Sequence, residues 1–214
     1  MNDPDRIDTS QFLGLDLGQS SDPSALTVAE QQVPIQEEHP SAENPTGETR
    51  GEPAYLVRHI ERFDLGTPYP DVVRRVASVL GAPETGDDPT LIMDASGVGA
   101  PVVDQFHEEG LRPVEITFTG GNDVQRDGRR YSVPKSDLVG TVQTLLQSRR
   151  LQVVEELDLS SALATEMKRF RVKTTTTGHV RFEHATESDT DDILLSLACA
   201  LWYAERPTAG FVIA

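Results

Sequence analysis

Only three lysines, Lys135, Lys168 and Lys173, stand in this sequence, and 19 bases in all face 35 acids. Proteins that bind nucleic acid usually carry a basic footprint, so a net charge of −16 argues against such a partner. Two readings compete. Either the charge rejects polyanions outright, or it is a solubility adaptation to a high-salt cytoplasm, with the few bases gathered where binding occurs. Cysteine is scarcer still. The single thiol, Cys199, forms no internal disulfide and cannot complete a zinc site, which favours a reducing, intracellular setting.

Several motifs and segments are missing as well. The first ten residues, MNDPDRIDTS, are acidic and polar, unlike a signal or transit peptide. The longest apolar run, ILLSLACALWYA, is too short to span a bilayer as a helix. A soluble, cytoplasmic protein without a membrane partner is the expectation. There is no GxxxxGK[ST], hence no P-loop ATPase, and no HExxH. His39, His59, His107, His179 and His184 show no ligand spacing.

What remains suits one domain over residues 11–205, between a flexible N-terminus (1–10) and a C-terminal tail (206–214). FLGLDLG and SALTVAE read as a hairpin turned by SSDP, and AYLVRHIERF as a third strand. Residues 31–53 carry four prolines, many acids and no periodicity, so they read as an acidic mobile loop. Val72, Val73, Val76, Val79 and Leu80 have helical spacing. PTLIMDAS and RPVEITFT are short buried strands on either side of the helix VGAPVVDQFHEEGL. A glycine-rich, arginine-bearing loop, GGNDVQRDGRRYS, leads to the helix in PKSDLVGTVQTLLQSRRLQV and a short extended segment. LSSALATEMKRF is a further helix, and Phe170 to Ala185 a basic hairpin turning near Gly178. The last helix, SDTDDILLSLACALWYAE, is apolar on nearly every face, so it should be buried with Cys199 and Trp202 in the core. This order builds a mixed five-stranded sheet, three antiparallel strands followed by two parallel ones, flanked by helices and carrying an added hairpin.

Asp16 ends the first strand, Asp94 ends the fourth, and Asp191 and Asp192 open the buried helix. An unpaired buried carboxylate is costly. Several brought together repel one another unless a cation joins them. All-oxygen ligation suits Mg²⁺ or Mn²⁺, and two such ions can activate a water and stabilise the leaving oxygen of a phosphodiester. Taken singly, each aspartate also fits a turn or cap. Asp94 can be the turn residue of DASGVGAP, and Ser188-x-x-Asp191 has capping-box spacing, so Asp192 is the first choice of ligand on that helix. Asp189 reads as solvated. Ser196 and Cys199 continue the face of Asp192 and are small enough to let the helix sit close to the sheet.

Five stretches, FLGLDLGQSSDPSALTVAE, LIMDASGVGAPVVDQF, VPKSDLVGTVQTLLQSRRLQV, the hairpin around TTTTGHVRF, and TDDILLSLACALWYA, together resemble the nuclease domain of the large subunit of viral DNA-packaging terminases. The resemblance implies an RNase H-like, resolvase-type fold. It also implies a two-metal (Mg²⁺ or Mn²⁺) endonuclease that cuts double-stranded DNA with little sequence preference through Asp16, Asp94 and Asp192, with Asp191 as supporting metal ligand. The hairpin would lie near the DNA path, and a packaging ATPase domain and portal would be partners. Two features depart from the family. The ATPase region is not in this sequence, so an excised domain or a stand-alone relative is expected. Thr190 stands where a histidine often precedes the paired acids.

The bases cluster as well. Arg126, Arg129 and Arg130 share one loop, Arg149 and Arg150 close a helix, and Lys168, Arg169, Arg171, Lys173 and Arg181 lie on or beside the hairpin. They are candidate phosphate contacts, which position a backbone without reading sequence; ordinary solvated charge is the competing reading. Lys135 joins the DNA-contact candidates, though a lysine at a helix start is more often plain surface. Three other functions stay open: a catalytically idle assembly module of a packaging machine, a junction-resolvase-like enzyme, and an actin- or sugar-kinase-like ATPase, where DLG also ends a first strand. Metal binding, branched DNA and nucleotide binding, respectively, would discriminate them.

Overall fold

The computed structural model describes residues 5–18, 22–41, 44–169, 171–174, 180–183 and 190–206, with the backbone alone for 171–174 and 180–183. The expected hairpin turn at Gly178, His179 and His184, the capping partner Ser188, the solvated Asp189 and the tail beyond Arg206 lie outside the described residues.

β1 (Arg6–Asp16) and β2 (Ala25–Glu37) pair antiparallel from Arg6↔Ile35 to Asp16↔Ala25, and β2 pairs antiparallel with β4 (Ala54–Arg62) up to Ala25↔Arg62. On the other side of β1 run β5 (Thr90–Asp94) and β6 (Val114–Thr119), both parallel. These are the five expected strands in the expected directions. They form the middle of a larger, nine-stranded sheet completed by β3 (Glu48–Arg50), β7 (Gln125–Asp127), β8 (Arg130–Pro134) and β9 (Leu151–Val153).

Two expectations need correction. The segment 31–53 is not one mobile loop, because β2 continues to Glu37 and β3 pairs back onto it at Ile35↔Arg50 and Glu37↔Glu48. Likewise, the N-terminal segment is already strand from Arg6. Polar composition and Pro34 hid both. Main-chain ladder bonds do not depend on side-chain polarity, and Pro34 still accepts the Gly51 N–H through its carbonyl at 2.8 Å. The arginine-bearing loop is similarly a short hairpin of β7 and β8.

Helices cover both faces. α1 (Tyr69–Leu80) buries Val72, Val73, Val76 and Val79, and with α2 (Ala100–Glu108) it covers Leu13, Leu15, Leu91 and Met93. The opposite face carries α3 (Lys135–Gln147), α4 (Ser160–Arg169) and α5 (Asp192–Ala204) over Ile92, Ile116, Tyr131 and Val133. β10 (Arg171–Thr174) and β11 (Val180–Glu183) form a separate antiparallel pair, as expected for the hairpin. α5 is buried along nearly its whole length. No helix among the described residues is long and apolar enough to cross a membrane.

Candidate active site

Strand parity decides which way the acids face. Side chains alternate across a strand, and Leu13 and Leu15 belong to the α1/α2 core while Phe12 packs on the α5 side. Asp16 therefore shares the α5 face with Phe12 and Gly14. In β5, Leu91 and Met93 face α1/α2, which leaves Ile92 and Asp94 on the α5 face. The parallel register ends at Leu15↔Met93, so its next step sets Asp16 beside Asp94. Across the sheet Asp16 pairs with Ala25 and Ala25 with Arg62. One row at one end of the sheet thus carries Asp94, Asp16, Ala25 and Arg62.

α5 brings the remaining acids. Gly14 admits it: a Cβ there would collide with the main-chain carbonyl of Ser196, and it would also crowd Ala200. The small residues of α5 let helix and strand meet closely, and the first turn of α5 then stands over the row. Asp16, Asp94, Asp191 and Asp192 line one cleft of about 430 Å³ with Gly18, Ser96, Phe118, Lys135 and Thr190.

Each carboxylate is held differently. Asp94 Oδ1 accepts the Ser96 N–H at 2.7 Å, an Asx-type turn, and Ser96 Oγ in turn accepts the Phe118 N–H at 2.7 Å. Asp94 thus makes the turn expected of it, and its carboxylate also lines the cleft. Asp192 Oδ2 accepts from Arg62 Nε at 2.6 Å, and among the described residues its Oδ1 is buried without a hydrogen-bond partner. Asp191 occupies the N-cap position of α5 but makes no side-chain cap bond; it pairs instead with Lys135 Nζ at 3.1 Å. The capping-box partner Ser188 lies outside the described residues, and Lys135, a DNA-contact candidate at a helix start, lies in the cleft.

Burial first, then repulsion from Asp94, Asp191 and Asp192, pushes the Asp16 carboxyl well above the usual carboxylate range. Asp94 is pushed up to about 6 by burial, against its Ser96 hydrogen bonds and Lys135, and Asp16 is close enough to hydrogen-bond it. Burial also raises Asp192, with Arg62 opposing. Such a cluster holds protons or cations. Among the described residues no group of three or more His, Cys, Asp or Glu side chains is placed, as it stands, to hold a metal ion. The donors still fit one. All are oxygens, the proton affinities of Asp16, Asp94 and Asp192 are raised, and Asp192 Oδ1 is an orphaned acceptor, which together suit a hard divalent cation.

The arginine group lies elsewhere. Arg130 pairs with Glu115 at 3.1 Å, Arg129 donates to the Pro113 and Arg112 carbonyls, and Arg126 lies 5.3 Å from the Tyr131 ring centroid. None lines the aspartate cleft. Arg150 is engaged with Glu205. Lys168 and Arg169 are exposed at the end of α4, where the chain leads into β10, the strand bearing Arg171 and Lys173. Arg62 and Glu166 are site neighbours that the sequence reading missed. A signal existed for each: Arg62 ends a strand as Asp16 does, and Glu166 stands three residues after the buried Leu163, on the apolar side of α4.

The fold is similar to solved nuclease domains. The large terminase nuclease from thermophilic phage G20c aligns with a TM-score of 0.59 at 18% identity, over 96% of this chain and 87% of that one. The Thermus phage P74-26 large terminase nuclease domain aligns with 0.56 at 18% identity, over 90% and 78%. The HK97 bacteriophage large terminase gives 0.53 at 13% identity, over 94% of this chain but 40% of that longer one. The G20c nuclease has been solved with bound magnesium and with bound cobalt. No family model matches the sequence, and no curated protein matches it. The chain has the RNase H-like fold of terminase nuclease domains.

Proposed function

We propose that this chain is a metal-dependent endonuclease that cuts double-stranded DNA with little sequence preference, as the nuclease part of a DNA-packaging machine. The observation that carries the reading is the meeting of Asp16, Asp94, Asp191 and Asp192 in one cleft at the end of the sheet. Asp16, Asp94 and Asp192 would hold two Mg²⁺ or Mn²⁺ ions, with Asp191 as supporting ligand. Bound there, the ions would supply an activated water and stabilise the leaving oxygen of the phosphodiester.

The chain's own residues do the rest. Ser96 and the turn after β5 hold the Asp94 carboxylate in one orientation. Asp191 holds the Lys135 ammonium in the cleft, where it offers positive charge to a backbone phosphate. The uncompensated acids repel DNA until cations neutralise them, which couples substrate approach to metal loading. Lys168 and Arg169, with Arg171 and Lys173 of β10, would contact phosphates and set the path of the duplex. A packaging ATPase domain and a portal are the proposed partners.

Supercoiled plasmid incubated with Mg²⁺, Mn²⁺ or excess chelator, at low and high salt, tests the reading. Nicking and linearisation that require metal, with Mn²⁺ at least as effective as Mg²⁺, are expected. Cleavage that persists in chelator overturns the mechanism; metal binding without cleavage points to an idle assembly module.

A further inference from the structure

Arg62, Glu166 and Asp192 come from β4, α4 and α5 and meet beside the cleft. Glu166 is an acid on the apolar side of its helix and is 7% exposed. Its two oxygens have separate tasks. Oε1 accepts from the Arg62 guanidinium, and Oε2 accepts the Leu194 N–H at 2.8 Å. Leu194 lies in the first turn of α5, whose N–H groups have no partner within the helix. The cap that Asp191 does not provide is therefore supplied by Glu166 from another helix. Asp191 pairs with Lys135 and Asp192 with Arg62, and both acids line the cleft.

Arg62 completes the arrangement. Its charge is permanent and its donors are set in a planar fork, so one arm holds Glu166 while Nε holds Asp192 Oδ2 at 2.6 Å. That contact occupies one oxygen of Asp192, and Oδ1 has no hydrogen-bond partner among the described residues. We propose that Arg62 and Glu166 are positioning residues that present Asp192 to a metal ion through Oδ1 alone and keep the first turn of α5 over the sheet. The inference rests on the nuclease reading above. It assigns a task to two residues outside the acid set.

The test uses the whole chain with Arg62→Lys, Arg62→Gln and Glu166→Gln. Mn²⁺ affinity is read from the electron paramagnetic resonance of free Mn²⁺, next to melting in chelator and kcat and KM on plasmid. Loss of a residue that orients a metal ligand weakens metal affinity roughly 10–100-fold, and that is the expectation for Arg62→Gln and Glu166→Gln. Arg62→Lys keeps the charge but not the fork and should fall between them and the parent. kcat at limiting metal should fall while KM for DNA stays constant. If Arg62→Lys does not fold, Glu166→Gln, which keeps an acceptor for the Leu194 N–H, decides alone. Folded variants with parental Mn²⁺ affinity overturn this inference and leave the nuclease reading intact. A parent that binds no Mn²⁺ overturns that reading, and this inference with it.

Discussion

At the C-terminal end of α5, Glu205 is matched on every side. Arg150 grips its two oxygens at 3.1 and 2.6 Å, and Tyr55 donates to the same carboxylate at 2.6 Å. At the N-terminal end, Asp16, Asp94, Asp191, Asp192 and Glu166 gather around two bases, Lys135 and Arg62. The same helix therefore closes one polar cluster whose charges are satisfied and carries another whose acids exceed its bases. The first is built as a clasp between the C-cap of α5, Tyr55 of β4 and Arg150 just before β9. The second has a negative surplus that the fold tolerates without relieving. Charge that packing alone would select against is what the proposed metal site would account for.

The sharpest way to break this comparison is to remove an acid from the unmatched end. Asp16→Asn keeps the shape, removes one repelling charge, and should leave the metal-free protein as stable as the parent or more so, with cleavage reduced to background. In the parent, saturating metal should add about 2.7 kcal/mol at a hundred times Kd, and the variant should lose most of that increment. Thermal melts with and without Mn²⁺ read both quantities. A variant that melts lower in chelator yet keeps the parental metal increment would remove Asp16 from the site.

A smaller effect, shared by both ends, comes from the seat of the helix. Gly14→Ala sets a methyl against the Ser196 carbonyl, a main-chain group that cannot rotate aside. Overpacking of this kind costs about 1–3 kcal/mol. Urea unfolding should show the loss, and metal affinity should fall with it as the first turn of α5 lifts from the row. Unchanged unfolding would mean that strand and helix meet less closely than described.

At the matched end, Arg150→Ala should destabilise by about 2 kcal/mol, the scale of a hydrogen bond to a charged group, because it strips Glu205 of both its guanidinium bonds. Mn²⁺ affinity of the folded fraction should not change. A drop in metal affinity would show that the two ends are coupled through α5.

The gentlest probe is pH. Folding raises the Asp94 carboxyl to about 6 and that of Glu166 to about 7, and lifts Asp16 and Asp192 in the same direction, each from the ordinary carboxylate range. Groups raised in this way favour the folded state when protonated, so their contribution is full below the unfolded value and is lost as pH rises through the folded one. Asp8, Glu30 and Glu61 are shifted the opposite way by arginine neighbours, and they weaken the fold only as pH falls below about 4.5. In chelator the melting temperature should therefore drop between pH 5 and pH 7.5. Asp94→Asn should reduce the slope and leave the share of Glu166, and Mn²⁺ in the parent should also reduce it. A parent profile in chelator that is flat over this window would mean the cluster ionises normally.

Much of this was legible from residues alone. The short apolar runs in FLGLD and TLIMD, the valine spacing of α1 and the apolar breadth of α5 were enough for strands, helices and the elements that bear the acids. Other features were not legible because their cause is not local. β3 and the far half of β2 form on pairing partners, and a polar strand has no apolar pattern to betray it. Lys135 stands 56 residues from Asp191, and Arg62 stands 104 from Glu166. Nothing in either neighbourhood announces those pairs.

The sequence by itself determined the chemistry available: an oxygen-only set of aspartates at strand and helix ends, histidines without ligand spacing, and a glycine where a helix must approach. Side-chain period and residue type are local properties, and they carry through folding unchanged. Tertiary structure alone decided how the acids are used. It placed Lys135 with Asp191, gave the cap of α5 to Glu166, and tied one oxygen of Asp192 to Arg62. Those choices depend on distances between segments far apart in the chain, and only the closing of the sheet against α5 sets them.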